Sequence, residues 1–216
     1  MQIVVAGGHG QIALRVERQL AEAGHVALGI VRNPQHVDDV RATGAEALVL
    51  DLEDARVEDV AGHLDGVDAV LFAAGAGPGS GVARKDTVDR AASALLADAA
   101  EQAGVGRFVQ ISSMGAGAPP RPGTDETFAA YLQAKTAAED DLRRRNLGWT
   151  VLRPGGLTNA PGTGRVRLAP SVPRGQISRD DVATVLTALL TGSRGIRQTL
   201  ELVSGDTPID DAVAHL

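Results

Sequence analysis

The stretch that decides the fold is Gln2–Ala13, QIVVAGGHGQIA. Gln2 to Ala6 form a short apolar run that reads as a strand, and Gly7 and Gly10 follow it. From Gln11 onward Ile12, Val16, Leu20 and Ala23 recur at helical spacing until Gly24 stops the helix. Strand, glycine turn and helix in that order open a βαβ unit. Gly7 permits the tight turn, Gly10 lets the backbone come close to a pyrophosphate, and the small Ala13 lets the helix pack closely on the strand. The N–H groups of Gly10, Gln11 and Ile12, at the helix N-terminus, would then meet phosphate charge.

Outward from this unit, β-branched runs alternate with longer amphipathic stretches. Val26–Val31, Ala47–Leu50 and Ala69–Phe72 are nearly continuously apolar and read, with the first strand, as central strands covered on both faces. Arg107–Ile111 and Thr150–Leu152 follow, and Thr199–Val203 reads as an edge strand. Helices are expected over Gln11–Ala23, from an Asn33 N-cap with Pro34 to before Gly44, and over Val57–Leu64, Lys85–Ala103, Thr127–Asn146 and Asp180–Leu190. Asp210–Leu216 is weakly anchored, and Arg143, Arg144 and Arg145 read as a solvated helix end. Gly75–Gly81, Gly115–Gly123 and Gly155–Gly175 are rich in Gly and Pro and read as loops, either walls and lids of a site or merely flexible links. The expected fold class is α/β, a three-layer Rossmann fold whose mostly parallel sheet of six to seven strands carries helices on both faces.

The 216 residues suit one domain, 1–216, with a small C-terminal substrate-binding region over about 155–216. A net charge of -6 gives no general attraction to nucleic acid or anionic lipid. No apolar run reaches membrane-spanning length and no leader pattern opens the chain, which points to the cytoplasm. With no Cys, thiolate metal sites and Cys nucleophiles are excluded, and the five His show no ligand spacing, so no metal is expected. Neither G-x-S-x-G nor G-x-x-x-x-G-K-[ST] occurs.

Candidate chemistry lies at the strand ends. After the second strand the sequence reads VRNP, and Arg32 stands where a carboxylate would select NAD. A guanidinium there suits a 2′-phosphate and favours NADP(H), unless it is an ordinary surface arginine. Asp51 and Leu52 follow the third strand and border an adenine site, or Asp51 caps the next turn. Ala73, Ala74 and Gly75 follow the fourth, small enough for close approach of a cofactor or simply for tight packing. Ser112 and Ser113 end the fifth strand. Tyr131 and Lys135, spaced Tyr-x-x-x-Lys, share one helical face. A lysine cation beside the phenol would favour the phenolate, with serine bonding a substrate oxygen and Lys135 holding the nicotinamide ribose. The other reading is a packed tyrosine with a surface lysine.

Together GGHGQIA, VRNP, LDLED, the ISS strand end, YLQAK and VLRPGGLTNAPGTG resemble the short-chain dehydrogenase/reductase superfamily. More narrowly, they resemble its small atypical NAD(P)-binding members, the epimerase/dehydratase-like group akin to NmrA-like proteins. The likeness runs from Met1 to about Leu202. It implies that Gly7, Gly10 and Ala13 form the cofactor turn and Arg32 the NADP-selecting position. Ser113, Tyr131 and Lys135 would be the active set, and Pro154 would approach the nicotinamide. The family's catalytic asparagine is matched by Asp89, a departure, because an ionised aspartate cannot donate an amide hydrogen bond. Too few residues follow Pro154 for a sugar-nucleotide lobe, which favours a small carbonyl or quinone-like substrate, the loop from Gly155 to Gly175 closing over it. Arg165, Arg167 and Arg174 would select an acidic substrate or are merely solvated. A non-catalytic redox sensor and a small epimerase/dehydratase are the alternatives, and the two long helices offer a face for a homodimer.

Overall fold

Gln2–Ala6 becomes β1, and the other apolar runs pair around it in a computed structural model that describes residues 1–77, 84–119 and 123–216. The strands are β1 (Gln2–Ala6), β2 (Val26–Val31), β3 (Glu46–Val49), β4 (Ala69–Phe72), β5 (Arg107–Ile111) and β6 (Gly148–Pro154). After them come β7 (Gly156–Thr158), β8 (Arg165–Ala169), β9 (Gln176–Ser178), β10 (Gln198–Ser204) and β11 (Thr207–Pro208). Among the described residues one sheet runs β11-β8-β10-β6-β5-β4-β1-β2-β3, and β7 pairs with β9 in a second. From β10 to β3 every pairing is parallel; β8 is antiparallel to β10 and to β11. The strand order reverses between β1 and β4, which opens a crevice at their carboxyl ends.

The helices are α1 (Gln11–Glu22), α2 (Val37–Arg41), α3 (Val57–Gly62), α4 (Ala92–Gln102), α5 (Glu126–Arg143), α6 (Arg179–Thr191) and α7 (Ile209–Ala214). A π-helical turn, Lys85–Ala91, leads into α4. Side chains alternate across a strand, so β1 feeds two cores. Ile3 and Val5 pack with Val16 and Leu20 of α1 and Val182 and Leu186 of α6. Val4 and Ala6 pack on the other face with Val60 of α3 and Leu96 of α4. No helix of the described residues is long and apolar enough to cross a membrane.

The α/β class holds, but the sheet is wider than six or seven strands. β8 was hidden in a Gly-rich stretch, although its alternation, with Val166 buried between exposed Arg165 and Arg167, is that of a strand with one wet face. Because β8 covers it, β10 is an internal strand and not the edge. β3 is an edge strand and not a central one, with no fully buried residue. The stretch Gly155–Gly175 is no free lid. It contains β7 and β8, and Gly162 N–H donates to Asp180 while Thr163 and Gly164 N–H donate to Asp181. The arginine triplet is only partly solvated: Arg144 is exposed, but Arg145 spans to Asp98 and Glu101 on α4 and Arg143 pairs with Glu139. α7 forms because Ile209, Ala212 and Val213 are buried. Of the loops expected at Gly75–Gly81 and Gly115–Gly123, residues 78–81 and 120–122 lie outside the described residues.

Candidate functional site

The glycine turn is built as its sequence requires. Gly7 has φ +82°, and a Cβ there would lie 2.6 Å from Ala74 Cα, so β1 and the end of β4 approach as only glycine allows. The N–H groups of Gly7 and Gly8 both donate to the Ile30 carbonyl, which ties the turn to β2. Gly10 N–H donates back to the Gly7 carbonyl (2.9 Å), which corrects its expected role: that donor closes the turn, and Gln11 and Ile12 open the helix. Gly10 caps α1 without a side chain and the first turn carries no acidic residue, so the positive end of the helix stands open toward the crevice.

Two adjoining clefts share Gly10 and the segment from Ala73 to Ala76. In the first, Gly10, Gln11 and Ile12 face Asp89, Ser113, Tyr131, Lys135 and Pro154. The second is lined by Gly7, Arg32, Asp51 and Leu52. The candidate cofactor and catalytic residues therefore fall in one continuous groove, although they come from stretches as distant as Gly7 and Pro154.

Lys135 differs from expectation. It is 3% exposed, its Nζ donates to the Ile111 carbonyl (3.2 Å), and it lies 3.1 Å from Asp89 Oδ1. That ion pair is off-line, so among the described residues Oδ1 accepts no hydrogen bond, while Oδ2 accepts from Ala76 N–H (3.2 Å). Lys135 Nζ is 5.8 Å from the centre of the Tyr131 ring. Asp89, fully buried, thus acts as the counter-ion of Lys135 and not as an amide donor. The two serines part company as well. Ser112 Oγ donates to Glu139, a buried carboxylate that also binds Arg143 (2.6 Å) and Arg153, so the hydroxyl left to the cleft is that of Ser113.

At the other end Arg32 Nη1 donates to Glu53 (2.7 Å), and so does Arg84 Nη2 (2.8 Å). The Thr87 hydroxyl bond, then the two guanidiniums, hold the Glu53 carboxyl below the usual carboxylate range. Asp51 both lines the cleft and caps its turn, accepting from Glu53 N–H (3.0 Å). His9 and His36 stack on this rim with ring centres 3.6 Å apart. The family model for NAD(P)H-binding matches residues 7–193.

The chain belongs to the NAD(P)H-binding family.

Within that family it is 36% identical to the uncharacterized sugar epimerase YhfK of Bacillus subtilis, with all of both chains covered. Among solved structures, a Bacillus halodurans protein assigned to the NAD-dependent epimerase/dehydratases superposes with a TM-score of 0.91 at 34% identity, all of both chains covered. The oxidoreductase ylbE of Lactococcus lactis gives 0.87 at 26% identity, covering 100% of this chain and 96% of that one. The resemblance to atypical short-chain dehydrogenase/reductases accords with this membership.

Sequence reasoning missed several residues of the groove. Glu53, Arg84 and Thr87 meet only through tertiary structure, and nothing in their spacing announces them. Glu139 had a signal: it stands four residues from both Lys135 and Arg143 on α5, which stacks the three on neighbouring turns. Lys85 lines the Tyr131 cleft, and so do Phe128, Leu157 and Arg179. Arg165, Arg167 and Arg174 do not line it, and among the described residues Arg179 is the arginine that does.

Proposed function

We propose that this protein is an NADP(H)-dependent oxidoreductase of the atypical short-chain type, acting on a small carbonyl or quinone-like substrate by hydride transfer. The observation that carries the reading is one groove, with Tyr131 and Ser113 facing the glycine turn at one end and Arg32 beside Arg84 at the other. The N–H groups of Gln11 and Ile12, at the open N-terminal end of α1, would take the pyrophosphate of the coenzyme. Arg32 and Arg84 each give one N–H to Glu53 among the described residues, which leaves donors on both forks for a 2′-phosphate. Ala73, Ala74 and Gly75 would let the coenzyme lie flat between the two ends, and Pro154 would border its nicotinamide.

When bound, the coenzyme supplies or accepts the hydride. Tyr131 would exchange the proton of the substrate oxygen, and Ser113 would hydrogen-bond that oxygen. Lys135, neutralised by Asp89, would act chiefly by position, fixing the floor under Tyr131 through the Ile111 carbonyl. Leu157 and Phe128, both exposed, would give the substrate an apolar rim.

The buried pairing of Asp89 with Lys135 specifically favours a second reading, a coenzyme-binding redox sensor without turnover. Fluorescence titration with NADPH and NADH, followed by a carbonyl and quinone screen of wild type and Tyr131→Phe, separates the two. The enzyme reading expects tighter binding of NADPH, and loss of at least about 100-fold in turnover in the variant with unchanged coenzyme affinity. Tighter binding of NADH would remove the role given to Arg32. No affinity for either coenzyme would sink both readings.

A further inference from the structure

Lys85 is the cation of the groove that no other element accounts for. It is 8% exposed, lines the cleft with Tyr131, and places its Nζ 5.4 Å from the centre of the tyrosine ring. One of its three donors goes to the Gly77 carbonyl (2.8 Å). Among the described residues no carboxylate forms an ion pair with it, in contrast to Lys135, which Asp89 neutralises. A largely buried ammonium whose charge is met, among the described residues, by a carbonyl dipole and a ring face is costly, and such arrangements concentrate where the charge is used on a ligand. Arg179, which also lines this cleft, donates to Asn159 (2.8 Å).

The walls say what the ligand resembles. Phe128 is 48% and Leu157 40% exposed, both line the cleft, and the Phe128 ring lies 5.8 Å from that of Tyr131. Apolar and aromatic surface left in water beside a buried cation fits a flat, apolar molecule that carries negative charge at one end.

We propose that Lys85 forms an anion subsite beside Tyr131, which takes the negatively charged oxygen of a planar conjugated or aromatic substrate. The subsite deepens the oxidoreductase reading and rests on it for the identity of the ligand as substrate, but its charge preference exists without coenzyme.

Calorimetric titration of benzoate and its neutral isostere benzamide, into the protein with and without NADP, tests it. Wild type is expected to bind benzoate at least ten-fold more tightly than benzamide. Lys85→Met should bring the ratio close to one and Lys85→Arg should keep most of it, while the far-ultraviolet circular dichroism spectrum, which reports folding, stays unchanged in both. A wild-type ratio near one overturns the subsite, as does a ratio that survives in Lys85→Met or one that disappears in Arg179→Gln instead. If Lys85→Met fails to fold, the wild-type and Arg179→Gln ratios still decide. Benzoate selectivity in a protein that binds neither pyridine coenzyme would leave the subsite standing and defeat the oxidoreductase reading; coenzyme binding without selectivity would do the reverse.

Discussion

Glu17 lies on α1 with no exposed surface, and neither of its carboxyl oxygens has a hydrogen-bond partner among the described residues. A Cβ added at Gly8 or Gly29 would sit 2.7 or 2.5 Å from Glu17 Oε1, so both glycines make room for the carboxyl beside the glycine turn. Burial pushes its pKa from 4.5 up to about 8, because the charged form loses its water and gains nothing in exchange. Below pH 4.5 the folded and unfolded chains both hold the proton. Between there and pH 8 the unfolded chain releases it while the folded chain keeps it, so stability falls as pH rises; above about pH 8 both release it and the loss levels off. At about 1.4 kcal/mol per pH unit across that window, the full loss is about 5 kcal/mol, with about 3 kcal/mol of it incurred by pH 7. Glu17→Gln keeps the shape and removes the titration. Urea unfolding followed by the fluorescence of Trp149, the sole tryptophan, at a series of pH values measures both proteins. The variant should gain on wild type by about 5 kcal/mol between the acid and alkaline ends of the series, whatever constant offset its unpaired amide introduces. Parallel pH profiles would refute the claim that Glu17 is held neutral by burial.

Gly7→Ala would force a side chain into φ +82° against Ala74 and is expected to cost about 2 kcal/mol or more and to abolish NADPH binding; thermal melts and coenzyme titration check both, and retained binding would count against the glycine turn as the pyrophosphate seat. Glu139→Ala would strip Arg143, Arg153 and Ser112 of their common acceptor, lowering unfolding free energy by about 3–5 kcal/mol in urea titrations, and an unchanged midpoint would show that the buried network is not holding the strand end. Asp89→Asn and Lys135→Met should each destabilise by about 3 kcal/mol, and the double variant by at least about 1 kcal/mol less than their sum; strict additivity would mean that the two groups are not coupled.

The parallel core was legible because each of its strands is a compact apolar run and each crossover helix carries its own period. β1, β2, β4 and β5 coincide with the expected ranges, and α1 differs by one residue. What escaped were strands defined by their neighbours. β7 is Gly156–Thr158 and β11 is two residues, lengths at which no period can be read, and β10 reads as an edge from its own residues because β8, which covers it, sits inside a glycine-rich stretch. The site shows the same division. The glycine turn, Arg32 and the Tyr131–Lys135 spacing are local patterns and could be read directly. The partners of those residues could not: that Asp89 neutralises Lys135, or that Glu53 gathers two arginines, depends on contacts across 46 and 31 positions of the chain.

The element that links the two ends of the groove is the π-helical turn Lys85–Ala91 with the Arg84 that precedes it. A wider backbone spiral is uncommon and tends to occur where side chains must be aimed in directions an α-helix would not allow. Here Arg84 and Thr87 reach Glu53 on the Arg32 side, while Lys85 faces Tyr131 and Asp89 reaches Lys135. Both ends of the groove therefore take part of their charge from one short segment anchored by Val88 and Asp89, and whatever displaces Glu53 from its arginines acts on the segment that carries Lys85. The fully buried Asp89, whose removal would leave Lys135 unpaired, resists that displacement from the core side. The aspartate that departs from the asparagine of the short-chain dehydrogenases thus serves to fix this segment in place, a role that an amide without charge would fill less firmly.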